Sequence, residues 1–130
     1  MEKFTEAAGQ PGWKNKVSRE KNHIGYGNVS YGDSWSLDMT LARIIGEHLH
    51  AFLKAEKGPN GGCPGSVISM YGEDRGPAEW LNIIRKMIYA FEEYQRFPTG
   101  YSIEEQDPEK YGRIKEGMQL FIDHYRDLWI

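Results

Sequence analysis

Asp38 and His48 stand beside the apolar stripe of "SWSLDMTLARIIGEHLHAF", where an acid or an imidazole can move protons, hold a metal or simply satisfy a core. Glu47 and His50 share the i, i+3 spacing of the Glu-x-x-His element of diiron helical bundles. That chemistry needs a second such element. "FIDHY" offers only Asp123 and His124, neighbours that point about 100 degrees apart on a helix. His48 is therefore expected to pack at the edge of the core and His50 to face water. Cys63, in "GGCPG", has no expected helix N-terminus directly after it to lower its pKa, so it makes a poor nucleophile. The serines lack a Gly-x-Ser-x-Gly setting, and "GPNGGCPGS" lacks the lysine of a phosphate-binding loop. "FEE" and "IEEQD" do not repeat acids along two helices as magnesium-dependent nucleotide pyrophosphatases do. No catalytic residue, metal-ligand set or cofactor motif can be named.

Single acids beside apolar residues carry more information: Asp38 after Leu37, Glu92 after Phe91, and Glu116 before Gly117. On a helical wheel Asp38 projects near Leu41 and Ile45, and Glu92 between Arg85 and Ile88, so both are boundary positions. A carboxylate there needs a cation or several donors, which Lys86, Arg43, Arg113 or tyrosine hydroxyls could provide. One reading is a polar cluster that holds helices in register. The other is a pocket in which Trp35 or Tyr26 stacks on a ligand and Arg43 or Arg75 meets its negative charge. The candidate binding set is Tyr26, Tyr31, Trp35, Asp38, Arg43, Arg75 and Glu92. A rival reading makes Asp38, Glu92 and Glu116 the carboxylate set of a metal-dependent phosphohydrolase.

Three helices must position these side chains. The first is capped by Asp33 or Ser34 and carries Leu37, Leu41, Ile44, Ile45, His48 and Phe52 on one face. The second starts at Pro77 in "GPAEW", with a stripe of Trp80, Ile83, Ile84, Met87, Ile88 and Phe91. The third starts at "DPEKYG", where Asp107 caps and Pro108 follows, and carries Tyr111, Ile114, Met118, Phe121, Ile122, Tyr125 and Trp129. The fold class is mainly α, a three-helix, bundle-like single domain over 1–130. It comprises an extended arm over 1–33, helices over 34–57, 77–97 and 107–129, and a Gly-rich loop over 58–76. One short β-hairpin could form between "SVISMY" and "GNVSY".

With 130 residues, four Trp, eight Tyr, five Phe and 27% charged residues, the chain has the composition of one globular domain. A net charge of −3 argues against sequence-independent binding to nucleic acid, although Lys14, Lys16, Arg19 and Lys21 make a local basic arm. No apolar run approaches the roughly 20 residues of a membrane span, and "MEKFTEAAGQPGWKNK" lacks the apolar core of a secretion signal. A cytoplasmic location is expected, in keeping with the single cysteine.

"WSLD", "EWLNIIRKMIYAFE" and "EGMQLFIDHYRDLW" together resemble a group of small proteins encoded by tailed bacteriophages and prophages. Its pattern falls on Trp35, Leu37 and Asp38; on Glu79, Trp80, Lys86, Met87, Phe91 and Glu92; and on Glu116, Gly117, Leu120, Phe121, Leu128 and Trp129. The long Gly-rich loop and the first 33 residues depart from that pattern. The resemblance implies a phage setting and no catalytic residue. It suggests a non-enzymatic binding protein that counters a host defence by blocking a host protein or sequestering a small nucleotide-like ligand. A virion or assembly component, with self-association into a homo-oligomer, is the third possibility.

Overall fold

The computed structural model describes residues 26–97 and 102–130. Among them are five α-helices and no sheet: α1 (Tyr31–Trp35), α2 (Leu37–Glu56), α3 (Gly65–Tyr94), α4 (Ile103–Gln106) and α5 (Pro108–Asp123), with a 3₁₀ turn at Tyr125–Asp127. The mainly helical architecture read from the sequence is therefore present. The chain groups into two compact units, Met1–Thr40 and Leu41–Ile130.

In the first unit the described residues open on a tight turn in which Tyr26 and Val29 exchange backbone hydrogen bonds of 2.9 Å. Gly27, at φ 58, supplies the positive dihedral that a two-residue hairpin turn demands. The pairing expected between "GNVSY" and "SVISMY" does not form, because Tyr26 pairs within its own turn and Ser66–Tyr71 is helical. The helix cap also moves. Ser30 accepts from the Asp33 amide and the Asp33 carboxylate accepts from the Ser30 amide, a reciprocal capping box that starts α1 at Tyr31, ahead of the expected Ser34. Ser36 breaks the helix at φ −124, ψ 60, and α2 begins at Leu37. The remainder of the expected arm, including its basic cluster, lies outside the described residues.

In the second unit α3 forms the centre. Trp80, Ile83, Ile84, Met87, Ile88 and Phe91 are all buried, as their spacing predicts, and each contributes on the order of 1.5–3 kcal/mol. The helix begins far earlier than Pro77, however. Residues 65–71, expected as loop or strand, form two helical turns that bury Val67 completely. The glycines misled: Gly72, at φ 90 and ψ 165, is a break inside α3 in a region only glycine occupies readily, and helix resumes on both sides. Pro77, expected at the first helical position, stands inside the resumed helix, where its missing amide leaves the Glu73 carbonyl without an i+4 donor. The Gly-rich loop thus shrinks to residues 57–64.

α5 begins as expected, with the Asp107 carboxylate accepting from the Lys110 amide and Pro108 in the first turn. It stops at Asp123, six residues before the expected end, so Tyr125 leaves the buried stripe, while Ile122, still within the helix, stands on its exposed face. α4 was not expected; its Ile103 joins Ala90 and Ile114 in a satellite core.

Two glycines set how closely the helices approach. A Cβ on Gly117 of α5 would sit 2.5 Å from the Ala90 Cβ and nearer still to the Lys86 carbonyl oxygen of α3. On α2, a Cβ at Gly46 would meet nothing closer than Gln95 Nε2 at 3.7 Å. Gly117→Ala should therefore cost about 1–3 kcal/mol through overpacking, whereas Gly46→Ala should gain up to about 1 kcal/mol through helix propensity. Urea titration of the two variants checks the opposite signs.

At the other end of the α3–α5 seam, Glu93 accepts from Lys110 Nζ at 3.1 Å and from Arg96 Nε at 3.0 Å. Burial pushes the Glu93 carboxyl up, but the Lys110 and Arg96 contacts outweigh it and hold it below the usual range. A depressed folded-state pKa means the unfolded chain binds more protons, so this contribution is present near neutrality and is lost on acidification below about pH 4.3. Urea midpoints from pH 6 to pH 3 should fall more steeply for the native chain than for Glu93→Gln.

Candidate functional site

α2 carries more apolar surface than the core accepts. Its buried residues are Ala42, Gly46 and Leu49, with Ile45, Phe52 and Leu53 partly covered, while Leu41 and Ile44 are exposed. The stripe read from periodicity is therefore rotated. Small residues face α3, so that the backbones come close, and the larger residues at the stripe's edge swing outward. His48 follows them: expected at the edge of the core, it is exposed, with its Nδ1 2.8 Å from the Ile44 carbonyl. His50 faces water as expected, but also meets Glu92 Oε2.

This edge borders a groove of about 340 Å³ lined by Ile44, Ile45, His48 and Phe52 from α2, with Phe121 and Leu128 on the opposite side. Aromatic rings continue it, since Phe121 packs edge-on against both Phe91 and Tyr125. Tyr125 is 65% exposed, Ile122 66% and Trp129 74%. For Tyr125 and Trp129 the early end of α5 produces this: the 3₁₀ turn after His124 takes the chain out of helical register.

The polar candidates are divided between the two units. Tyr26, Tyr31, Trp35 and Asp38 lie in the first unit, where Trp35 packs edge-on against Tyr31 at 5.9 Å and Asp38 occupies the positive first turn of α2. In the second unit Arg43 faces Glu47 at 3.8 Å, Arg75 faces Glu79 at 3.5 Å and lies over the Tyr71 ring, and Glu92 meets His50. No hydrogen bond or ion pair among the described residues joins Arg43, Arg75 and Glu92. Glu116, the third acid of the hydrolase reading, is instead paired with Lys86 at 3.1 Å. Among the described residues no three His, Cys, Asp or Glu side chains are grouped to hold a metal.

The expected cluster has a counterpart that periodicity missed. Glu56, at the end of α2, accepts from the Trp80 indole at 2.6 Å and from the Gly62 amide at 2.9 Å, fastening the 57–64 loop to α3. Beside it the buried His124 packs its ring 5.5 Å from Trp80 and donates from Nδ1 to Asp127 Oδ2 at 3.1 Å, which also accepts from Ser66. Glu56, Cys63, Asp127 and Trp129 border a cavity of about 230 Å³. Its polar groups already satisfy one another, so the arrangement locks the end of the bundle. The signal was present in "AEKGPNGG", an acid at a helix end before glycines, which a stripe-based reading overlooks.

Comparison of the chain with models of protein families, with curated proteins and with solved structures finds no match. Among the described residues no helix is long and apolar enough to cross a membrane.

Contrary to expectation a helix does start two residues after Cys63, yet burial pushes the thiol up and the Glu56 charge pushes it further. Alkylation at pH 8 should therefore be slower than for a free cysteine, and faster in Glu56→Gln, which keeps an acceptor for the Trp80 indole. Equal rates would remove the Glu56 contribution.

Proposed function

We propose that the chain is a non-enzymatic binding protein that acts by covering a surface of a host protein, with the apolar face of α2 and the Phe121–Ile130 stretch as its docking surface. The observation that carries this reading is the apolar edge of Leu41 and Ile44, turned outward beside an open groove and continued by Tyr125. Exposed apolar surface next to a recess, with aromatic side chains at its border, has the composition of an interface core. A helix presented by the partner, with apolar residues at i, i+3 and i+4, is the shape such a groove accepts. The phage setting and the counter-defence role rest on the resemblance of the helix sequences alone.

The double variant Ile44→Glu/Tyr125→Ser tests the reading. Proteins captured from bacterial lysate by the native chain are purified and titrated by calorimetry against both forms. The expected result is a loss of at least tenfold in affinity, about 1.4 kcal/mol, with a negative heat-capacity change for the native complex. Equal affinity for both forms rejects the surface. Sedimentation equilibrium provides the other arm: a native dimer that the double variant dissolves would make this face an interface between copies of the chain, as an assembly component requires.

A further inference from the structure

A second surface, separate from the apolar face, lies between α3 and α5. On α3, Asn82, Arg85, Lys86 and Tyr89 recur at spacings of three and four and so share one edge of the helix. On α5, Arg113 and Glu116 are three apart and look across at them. These six residues line a cleft of about 260 Å³.

The charges in it are unbalanced. Three cations face one carboxylate on a chain whose net charge is −3. Lys86 Nζ is 3.1 Å from Glu116, which neutralises one of them. Arg113 donates from Nε to the Tyr89 hydroxyl at 3.1 Å and lies 5.7 Å from the centre of that ring, while one of its Nη atoms is 3.4 Å from the highly exposed Glu109. Its guanidinium is thus oriented by a tyrosine and keeps donors for another acceptor. Arg85 has neither a hydrogen bond nor an ion pair among the described residues, and Asn82 has none either. Like charges around one recess repel unless an anion joins them, and a forked guanidinium is matched to phosphate oxygens.

We infer that this cleft binds the phosphate group of a small phosphorylated molecule. Arg85 and the free donors of Arg113 grip the oxygens, and the Asn82 amide supplies a neutral donor. The volume lies below the roughly 300–1,000 Å³ of sites that engulf a whole ligand. It accommodates a phosphate or diphosphate and leaves the rest of the molecule outside. The site shares no residue with the apolar docking face, so either can fail without the other.

Calorimetry of the full chain with inorganic pyrophosphate at low ionic strength provides the test, joined by NMR of the Asn82 side-chain amide and the Tyr89 ring. Binding should weaken at least tenfold in Arg85→Gln, and the Asn82 and Tyr89 signals should shift on titration. Because Arg85 has no partner to lose, its melting temperature should match that of the native chain. Lys115→Gln, which removes a charge from α5 outside the cleft, should leave affinity within twofold, as should Ile44→Glu. Absence of pyrophosphate binding, or equal weakening by Lys115→Gln and Arg85→Gln, overturns the inference. So does Arg85-dependent binding of a single-stranded oligonucleotide by a chain that ignores pyrophosphate, because the ligand would then be a nucleic-acid backbone.

Discussion

The absence of one methyl group, at Gly117, sets the geometry of the α3–α5 pair. With no Cβ there, α5 rests directly against the Lys86 carbonyl and the Ala90 side chain. That separation brings Ile114 and Ala90 into one core and sets the reach of every polar pair across the seam. Lys86 meets Glu116, Tyr89 meets Arg113 and Lys110 meets Glu93 because the backbones are close enough for side chains of those lengths. A larger residue would shift all three pairs together. The half-exposed Lys86–Glu116 pair is by itself worth little, so it follows the packing and does not cause it.

α2 obeys the same rule with a different result. Ala42 and Gly46 are its inward residues, which brings its backbone near Phe91 and Glu92 and turns Leu41, Ile44 and His48 away from the core. Close approach by small residues thus closes one side of the unit and leaves apolar surface over on another. The Glu56–Trp80 and His124–Asp127 bonds close the end of the unit, where chain turns would otherwise bury unpaired polar groups.

Much of this was legible in the residues. The α3 stripe from Trp80 to Phe91 and the Asp107–Pro108 start of α5 follow from periodicity and cap chemistry, which act locally. The misread parts depend on distant partners. Glycines at 65, 72 and 76 look like loop, and only the burial of Val67 shows why helix persists between them. The stripe of α2 has apolar residues wide enough for two orientations, and the choice is made by which of its faces lets another helix come near. The polar sites were the least readable. Glu92 and Arg85 belong to the same helix, but one faces His50 and the other the cleft opposite Arg113, and a wheel drawn for a single helix cannot say what stands across from each position.

The break at Gly72 means that α3 is not one continuous hydrogen-bonded rod. Residues 65–71 are held by the burial of Val67 and by Ser66 on Asp127, and the longer portion by the Trp80–Phe91 stripe against α2 and α5. Amide protons along α3 are therefore expected to fall into two exchange classes, the first released once Val67 leaves the core it shares with Trp80 and the second only by unfolding of the whole unit. The lock formed by Glu56, Trp80 and His124 sits at the junction of those classes, where local opening would first reach the buried histidine.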